Sequence, residues 1–240
     1  MKTFILILML FSSLFSKAQI LIGFEGGYNL NFVISDISNR VFEKKESRGG
    51  YQLGIKFKYD LSTRTSLLIS PGLIQKNYGI RRTGRFEGVF TNYSNLYAQL
   101  PISFQFNLIN KRTAFYLNSG IYLAYWVTAS VEGTTPNTLD VFDTVTNGQI
   151  SEYFRIANYN DKYNFNSQRD NRIEFGLTGG FGVSYKLPGG FFPFLEIEIF
   201  QSLTDLQKKY MVQRISKYNQ SYLFSFGCLK TLRQRKELIR

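Results

Sequence analysis

Along residues 171–187 apolar and polar side chains alternate with a period of two. Ile173, Phe175, Leu177, Phe181, Val183, Tyr185 and Leu187 share one parity; Glu174, Gly176, Thr178, Gly180, Gly182, Ser184 and Lys186 share the other. Successive side chains of a strand point to opposite faces, so the segment is predicted to be a strand with one greasy face and one small, polar face. The same beat returns in seven further segments, 20–33, 49–60, 65–79, 95–109, 113–128, 191–203 and 220–229. It is least regular in 65–79, where Leu67, Ile69, Pro71 and Leu73 agree but Leu68 and Ile74 break the rule. Pro71 has no ladder donor and is predicted to mark a bulge or a locally open pair.

Eight tilted strands of this length cross a bilayer. The connections at 60–64, 110–112 and 188–190 are short, and those near 34–48, 80–94, 129–171 and 204–219 are long. Short and long alternate strictly, as do the periplasmic turns and external loops of outer-membrane barrels. An even strand count then puts both ends of the barrel on the periplasmic side. A water-soluble eight-stranded barrel would carry Lys, Glu and Thr on its polar face. Here that face carries Gly23, Gly27, Gly54, Gly72, Gly120, Gly176, Gly180, Gly182 and Gly227, which suits a crowded lumen. The predicted fold is all-β: an eight-stranded antiparallel up-and-down transmembrane β-barrel with long external loops.

The first 18 residues break the pattern. Lys2 precedes the apolar run 4–11, and Ser16-Lys17-Ala18 closes the segment, as in a secretory signal peptide cleaved after Ala18. A membrane-anchor helix is the lesser alternative, because the run falls short of the roughly 20 residues a span needs. The expected organisation is a leader at 1–18, a barrel at 19–230 and a basic periplasmic tail at 231–240.

Composition changes the picture in three places. Aromatics are 17% of the chain and charged residues 19%, which fits strands with aromatic belts at a membrane interface. The formal charge of +12 falls to +10 when Lys2 and Lys17 leave with the leader. For an exported chain that balance points to anionic lipid as partner and not to nucleic acid. There is no histidine, so the commonest metal ligand and the usual general base are missing. The single cysteine, Cys228, permits no intramolecular disulfide. No catalytic residue, metal or cofactor is expected.

Seven ionisable residues fall on the inward parity: Glu25, Lys56, Lys58, Glu174, Lys186, Glu196 and Glu198. Buried charge is costly unless paired, so a lumen network is expected in which Glu174, Glu196 and Glu198 meet lysines of other strands. Simple filling and solvation of a narrow lumen is favoured over ion conduction. Glu196 and Glu198 also match a carboxylate pair for sugar hydrolysis, but no aromatic sugar platform stands beside them. The glycines of 176–182 are no phosphate loop, since neither a helix nor Lys-Ser/Thr follows.

The loops carry the remaining candidates. Lys44, Lys45, Arg48, Arg81, Arg82, Arg85, Lys208 and Lys209, with Arg214 and Lys217, are expected to meet lipopolysaccharide phosphates, ordinary solvated loops being the equal alternative. The third loop, 129–171, is aromatic, with Tyr153, Phe154, Tyr159, Tyr163 and Phe165. Loops of this length either bind something or are disordered.

Four segments carry a family resemblance. Gly23-Phe-Glu-Gly-Gly-Tyr-Asn-Leu-Asn-Phe, Leu96-Tyr-Ala-Gln-Leu-Pro-Ile-Ser-Phe-Gln-Phe-Asn, Phe115-Tyr-Leu-Asn-Ser-Gly-Ile-Tyr-Leu-Ala-Tyr and Phe175-Gly-Leu-Thr-Gly-Gly-Phe-Gly-Val-Ser-Tyr resemble strands of the PorT-type outer-membrane β-barrel family of Bacteroidota. The resemblance implies an eight-stranded barrel without cofactor, whose family namesake serves protein secretion. The basic extension past Phe226 departs from barrels that end on an aromatic. The expected function is a non-enzymatic structural, assembly or interaction role through external loops, associated with protein secretion. A small pore or transporter for a small solute is the alternative, and a soluble periplasmic lipophile binder the third reading. Expected partners are outer-membrane lipid, lipopolysaccharide and envelope proteins, with the chain itself a monomer.

Overall fold

The computed structural model describes residues 19–35, 43–84, 87–137, 155–209 and 216–233. The leader, Arg85, Tyr153, Phe154, Arg214 and residues 234–240 of the tail lie outside them. Eleven strands follow in chain order: β1 (Gln19–Ser35), β2 (Glu43–Asp60), β3 (Thr65–Ile69), β4 (Gly72–Gln75), β5 (Tyr78–Arg82), β6 (Phe90–Asn110), β7 (Thr113–Asn137), β8 (Arg155–Lys162), β9 (Ile173–Tyr185), β10 (Phe191–Ser202) and β11 (Lys217–Arg233).

Their antiparallel pairings run in a circuit. β1 pairs β2, β2 pairs β3, β4 and β5 in turn, and these three pair β6. β6 pairs β7, β7 pairs β9, β9 pairs β10, β10 pairs β11, and β11 returns to β1. The predicted eight-position wall is therefore present and closed, with β3, β4 and β5 as three pieces of one wall position.

The breaks in that position have local causes. Pro71 interrupts the strand as expected: its carbonyl still accepts from Ile55 N at 3.0 Å, while Ser70 N turns to Pro101 O at 3.1 Å. A second break at 76–77 is filled by a side chain, Asn77 Oδ1 accepting from Asn95 N at 3.0 Å.

Several boundaries differ from the sequence reading: β2 begins at Glu43 and not at 49, and its added residues pair β5, which runs into the segment read as the second loop. β6 and β7 extend past the expected wall, and β8 forms on the edge this leaves, Ser130–Asn137 pairing Arg155–Lys162 inside the segment read as a loop. β11 reaches Arg233, three residues into the expected tail, because Thr231 N bonds Gly190 O at 2.9 Å and Arg233 pairs Ile20. Gly189 and Gly190 of the 188–190 turn both hold positive φ, 81° and 77°, where a side chain would be strained.

The outward parity is apolar around the ring. Phe24 is 75% exposed, Leu53 71% and Phe226 65%. Such a continuous band has no stable solvent but lipid. Tyr28 and Tyr51 meet edge-to-face across β1–β2 at 5.8 Å, an amphipathic pair of the kind found at a membrane interface. Cys228 faces outward in the same band.

The inward parity is not uniformly small. Leu68 and Ile74, which broke the rule in the sequence, point into the lumen and are buried. Toward the long-loop end Tyr97, Tyr122, Trp126, Phe200 and Leu223 join Ile74 in an interior core. Glycines opposite these rings make the space for them. A Cβ on Gly176 would stand 2.5 Å from the Tyr122 ring, and, farther along the lumen, one on Gly182 would stand 2.6 Å from the Tyr116 ring and 2.7 Å from Glu196 Cγ.

Candidate functional site

The lumen charges form two clusters stacked along the barrel. The first lies toward the short-turn end. Lys56 on β2 is buried and bridges Glu25 of β1, at 2.8 Å, and Glu196 of β10. Gln52 Nε2 donates to Glu25 at 2.8 Å, and Tyr116 OH to Glu196 at 2.8 Å. The Phe194 ring sits 4.5 Å from the Lys56 ammonium. Glu198 is also buried, but it is held by Asn118 Nδ2 at 3.1 Å and not by a lysine.

The second cluster lies toward the long loops. Lys76 Nζ, fully buried, meets Glu174 Oε1 at 2.6 Å. Tyr122 OH donates to the same oxygen at 2.7 Å, and Asn219 Nδ2 to Glu174 Oε2 at 2.7 Å. The ammonium also sits over the Tyr122 and Tyr97 rings, at 4.6 and 5.1 Å.

Of the expected network, then, Glu25, Lys56 and Glu196 come together. Glu174 is paired, but with Lys76, which the sequence reading passed over. The signal was present: Lys76 continues the inward parity of Ser66, Ser70 and Gly72. Lys58 pairs Asp60 at 3.7 Å instead of a glutamate. Lys186 is exposed at the short-turn rim of the lumen and joins neither cluster.

Above the second cluster the third loop folds back over the opening. Tyr163 and Phe165 pack on the interior core, Tyr163 stacking on Trp126 at 5.6 Å and Phe165 meeting it edge-on at 5.0 Å. Trp126 in turn stacks on Tyr97 at 5.7 Å. Arg172 fastens this cap to β7, its Nε donating to Trp126 O at 3.0 Å and its guanidinium covering Phe165 at 4.2 Å. Asp170 accepts from Arg169 Nε at 2.9 Å, Tyr163 OH at 3.0 Å and Asn166 N at 2.8 Å. Burial pushes the Asp170 carboxyl up, but these donors outweigh it and hold it below the usual range. Burial and the neighbouring carboxylate push the Tyr163 hydroxyl up to about 12.

The loop cations are largely occupied. Arg48 pairs Glu132 at 3.3 Å, Arg81 pairs Glu46 at 2.5 Å, and Arg82 pairs Glu43 at 2.5 Å. Lys45 bonds Ser35 Oγ. Lys208 Nζ donates to Ser167 O at 2.8 Å, tying the fourth loop to the cap. Lys44 and Lys209 are exposed. Arg81 and Arg82 lie on a ribbon in which β2 (43–47), β5, β6 (90–93), β7 (130–137) and β8 pair side by side beyond the lumen, and Arg48, paired with Asn31 of β1, stands at its base.

At the other end the lumen opens as a vestibule of about 1100 Å³, whose floor is Lys56 and Glu196. Lys58, Asp60, Lys111, Arg112 and Lys186 line its walls.

The family comparison agrees with this architecture. The family model described as outer membrane protein beta-barrel domain matches residues 11–208. Among solved structures, OprG of Pseudomonas aeruginosa is similar at 12% identity, with a TM-score of 0.47 and coverage of 90% of this chain and 97% of that one. Neisserial surface protein A is similar at 11% identity, with a TM-score of 0.43 and coverage of 90% and 99%. Ail of Yersinia pestis, in complex with the heparin analogue sucrose octasulfate, is similar at 11% identity, with a TM-score of 0.41 and coverage of 88% and 99%. No curated protein matches the chain.

Proposed function

Because the chain belongs to the outer membrane protein beta-barrel domain family, and so to the bacterial outer membrane, we propose that it is a sealed, non-enzymatic barrel that works through its external ribbon and cap. One observation carries this reading. The lumen is crossed by the Lys56 and Lys76 clusters and covered by the Trp126–Tyr163–Phe165 stack. A wall closed in this way transmits nothing, and its surface chemistry is left to the ribbon.

The non-enzymatic reading is supported by the carboxylates. Glu196 is neutralised by Lys56 and held by Tyr116, and both it and Glu198, held by Asn118, are buried inside the braced lumen, away from any bulk substrate. A small pore is the weaker reading, since both ion clusters and the cap would have to part for a solute to pass. The finer assignment is a PorT-type barrel of Bacteroidota associated with protein secretion, the strand motifs being its support. Lipopolysaccharide and envelope proteins are the proposed partners. Contact with lipopolysaccharide falls to exposed Lys44 and Lys209 and to cations that exchange an acidic neighbour for phosphate.

Photoreactive residues placed in living cells at Lys44 and at Asn160 of β8 test this. Adducts with lipopolysaccharide or with an envelope protein are expected from these positions. Their absence from both would remove the ribbon as the working surface.

A further inference from the structure

The vestibule at the short-turn end has an uneven lining. On one side stand β1, β10 and β11, whose Leu21, Phe194 and Leu229 form a buried apolar cluster with Phe192 packed against it. All four line the cavity. The other side is cationic, with Lys56 and Lys58 of β2, Lys111 and Arg112 of the β6–β7 turn, and Lys186 after β9. Only Asp60 and Glu196 oppose these five among the lining residues.

The carboxylates are already committed. Glu196 is taken by Lys56 and Tyr116. Asp60 reaches Lys58 only at 3.7 Å and accepts from Ser66 Oγ at 2.6 Å. Lys111, Arg112 and Lys186 have no ion pair among the described residues, Arg112 instead covering the ring of Tyr185 at 5.2 Å. Cations gathered in a concavity with low-dielectric walls raise a focused positive potential. The Lys56–Glu196 floor and the core above it make the cavity blind, so it receives from one side and passes nothing on.

We propose that this vestibule binds a small amphipathic anion from the periplasm, a carboxylate or phosphate on a short apolar chain. The head meets Lys58, Arg112 and Lys186, and the chain lies against Phe192, Phe194 and Leu229. The cavity is of the size that holds ligands of this kind. The pairing of a charge-bearing side with an apolar side separates such a ligand from a bare inorganic anion and from a neutral lipid.

The test uses the full chain in lipid nanodiscs, with amide NMR shifts followed on addition of hexanoate, hexyl phosphate, acetate or hexanol. Hexanoate or hexyl phosphate is expected to give saturable shifts at Arg112, Lys186 and Thr231, at least five-fold tighter than acetate, with hexanol giving none. The stronger of the two identifies the head group. Arg112 and Lys186 are exposed, in the β6–β7 turn and just after β9, and belong to neither ion cluster, so the variant tested is Arg112→Gln with Lys186→Gln. It is expected to weaken the binding at least five-fold and leave the heat-modifiable gel migration unchanged. Leu229→Ser is expected to abolish the preference over acetate. Absence of saturable shifts for both amphiphiles, equal affinity for acetate, or binding unchanged in the Arg112/Lys186 variant overturns the proposal.

Discussion

Lys76 Nζ stands 2.6 Å from Glu174 Oε1, and neither side chain reaches solvent. The two belong to wall positions that share no ladder, so this pair ties the barrel across its lumen. Removing one partner leaves a buried charge. Lys76→Met is expected to lower unfolding stability in detergent by about 3 kcal/mol. Combining it with Glu174→Leu recovers part of the loss, because no charge is left behind while Tyr122 OH and Asn219 Nδ2 lose their acceptor. Urea titrations followed by heat-modifiable migration measure both.

Lys56→Met is the more severe change. It strips the cation from two carboxylates at once and leaves Glu25 and Glu196 one hydrogen bond each, from Gln52 and Tyr116, whereas Lys76→Met strands a single carboxylate, Glu174, that keeps bonds from both Tyr122 and Asn219. The added cost is on the order of 1–3 kcal/mol. The same titrations rank the two variants, and the reverse order would show that the lower cluster is the less important brace.

These clusters were only half legible in the sequence. Parity alone put Glu25, Lys56, Glu174, Glu196 and Glu198 on the lumen face, because that face is fixed by the pleat. Which residues meet across the lumen depends on strand tilt and shear, which no single strand records. Lys76 was hidden for a second reason. Leu68 and Ile74 on its parity looked like errors in the pattern, yet they are interior apolar residues of a lumen that is partly greasy. β8 was invisible because Arg155–Lys162 has no alternation. It is a strand only because β7 continues past the wall and offers an edge.

Glycine on the inward face makes a third expectation. Gly182→Ala forces a Cβ against Tyr116 and Glu196 and is expected to cost about 1–3 kcal/mol. Gly179→Ala, which meets only Asn118 O at 3.7 Å, is expected to be near neutral. Comparable losses for both would contradict the packing described.

The cap has its own pH window. A carboxyl held below its unfolded value stabilises the folded form above that value and loses the effect as pH falls. The Asp170 contribution is therefore present above about pH 4 and lost in more acidic solution. Tyr163, raised to about 12, works the other way: its contribution is present below about pH 10 and lost as pH rises toward 12. Hydrogen exchange of residues 163–172 and the emission of Trp126, the chain's single tryptophan, are expected to stay constant between these limits and to report loosening outside them. Asp170→Asn is expected to remove the acid limb and to bring the alkaline limb to lower pH, since the same carboxylate helps hold the Tyr163 hydroxyl up.

Planar-bilayer recording of the purified full chain tests the central claim most directly. A barrel braced by Lys56 and Lys76 and capped by Tyr163 and Phe165 is expected to insert without current steps above background. The combined loss of Trp126, Tyr163 and Phe165 side chains is expected to leave it silent as long as both ion clusters stand. Stable, reproducible unitary conductance from the unmodified chain would contradict the sealed lumen.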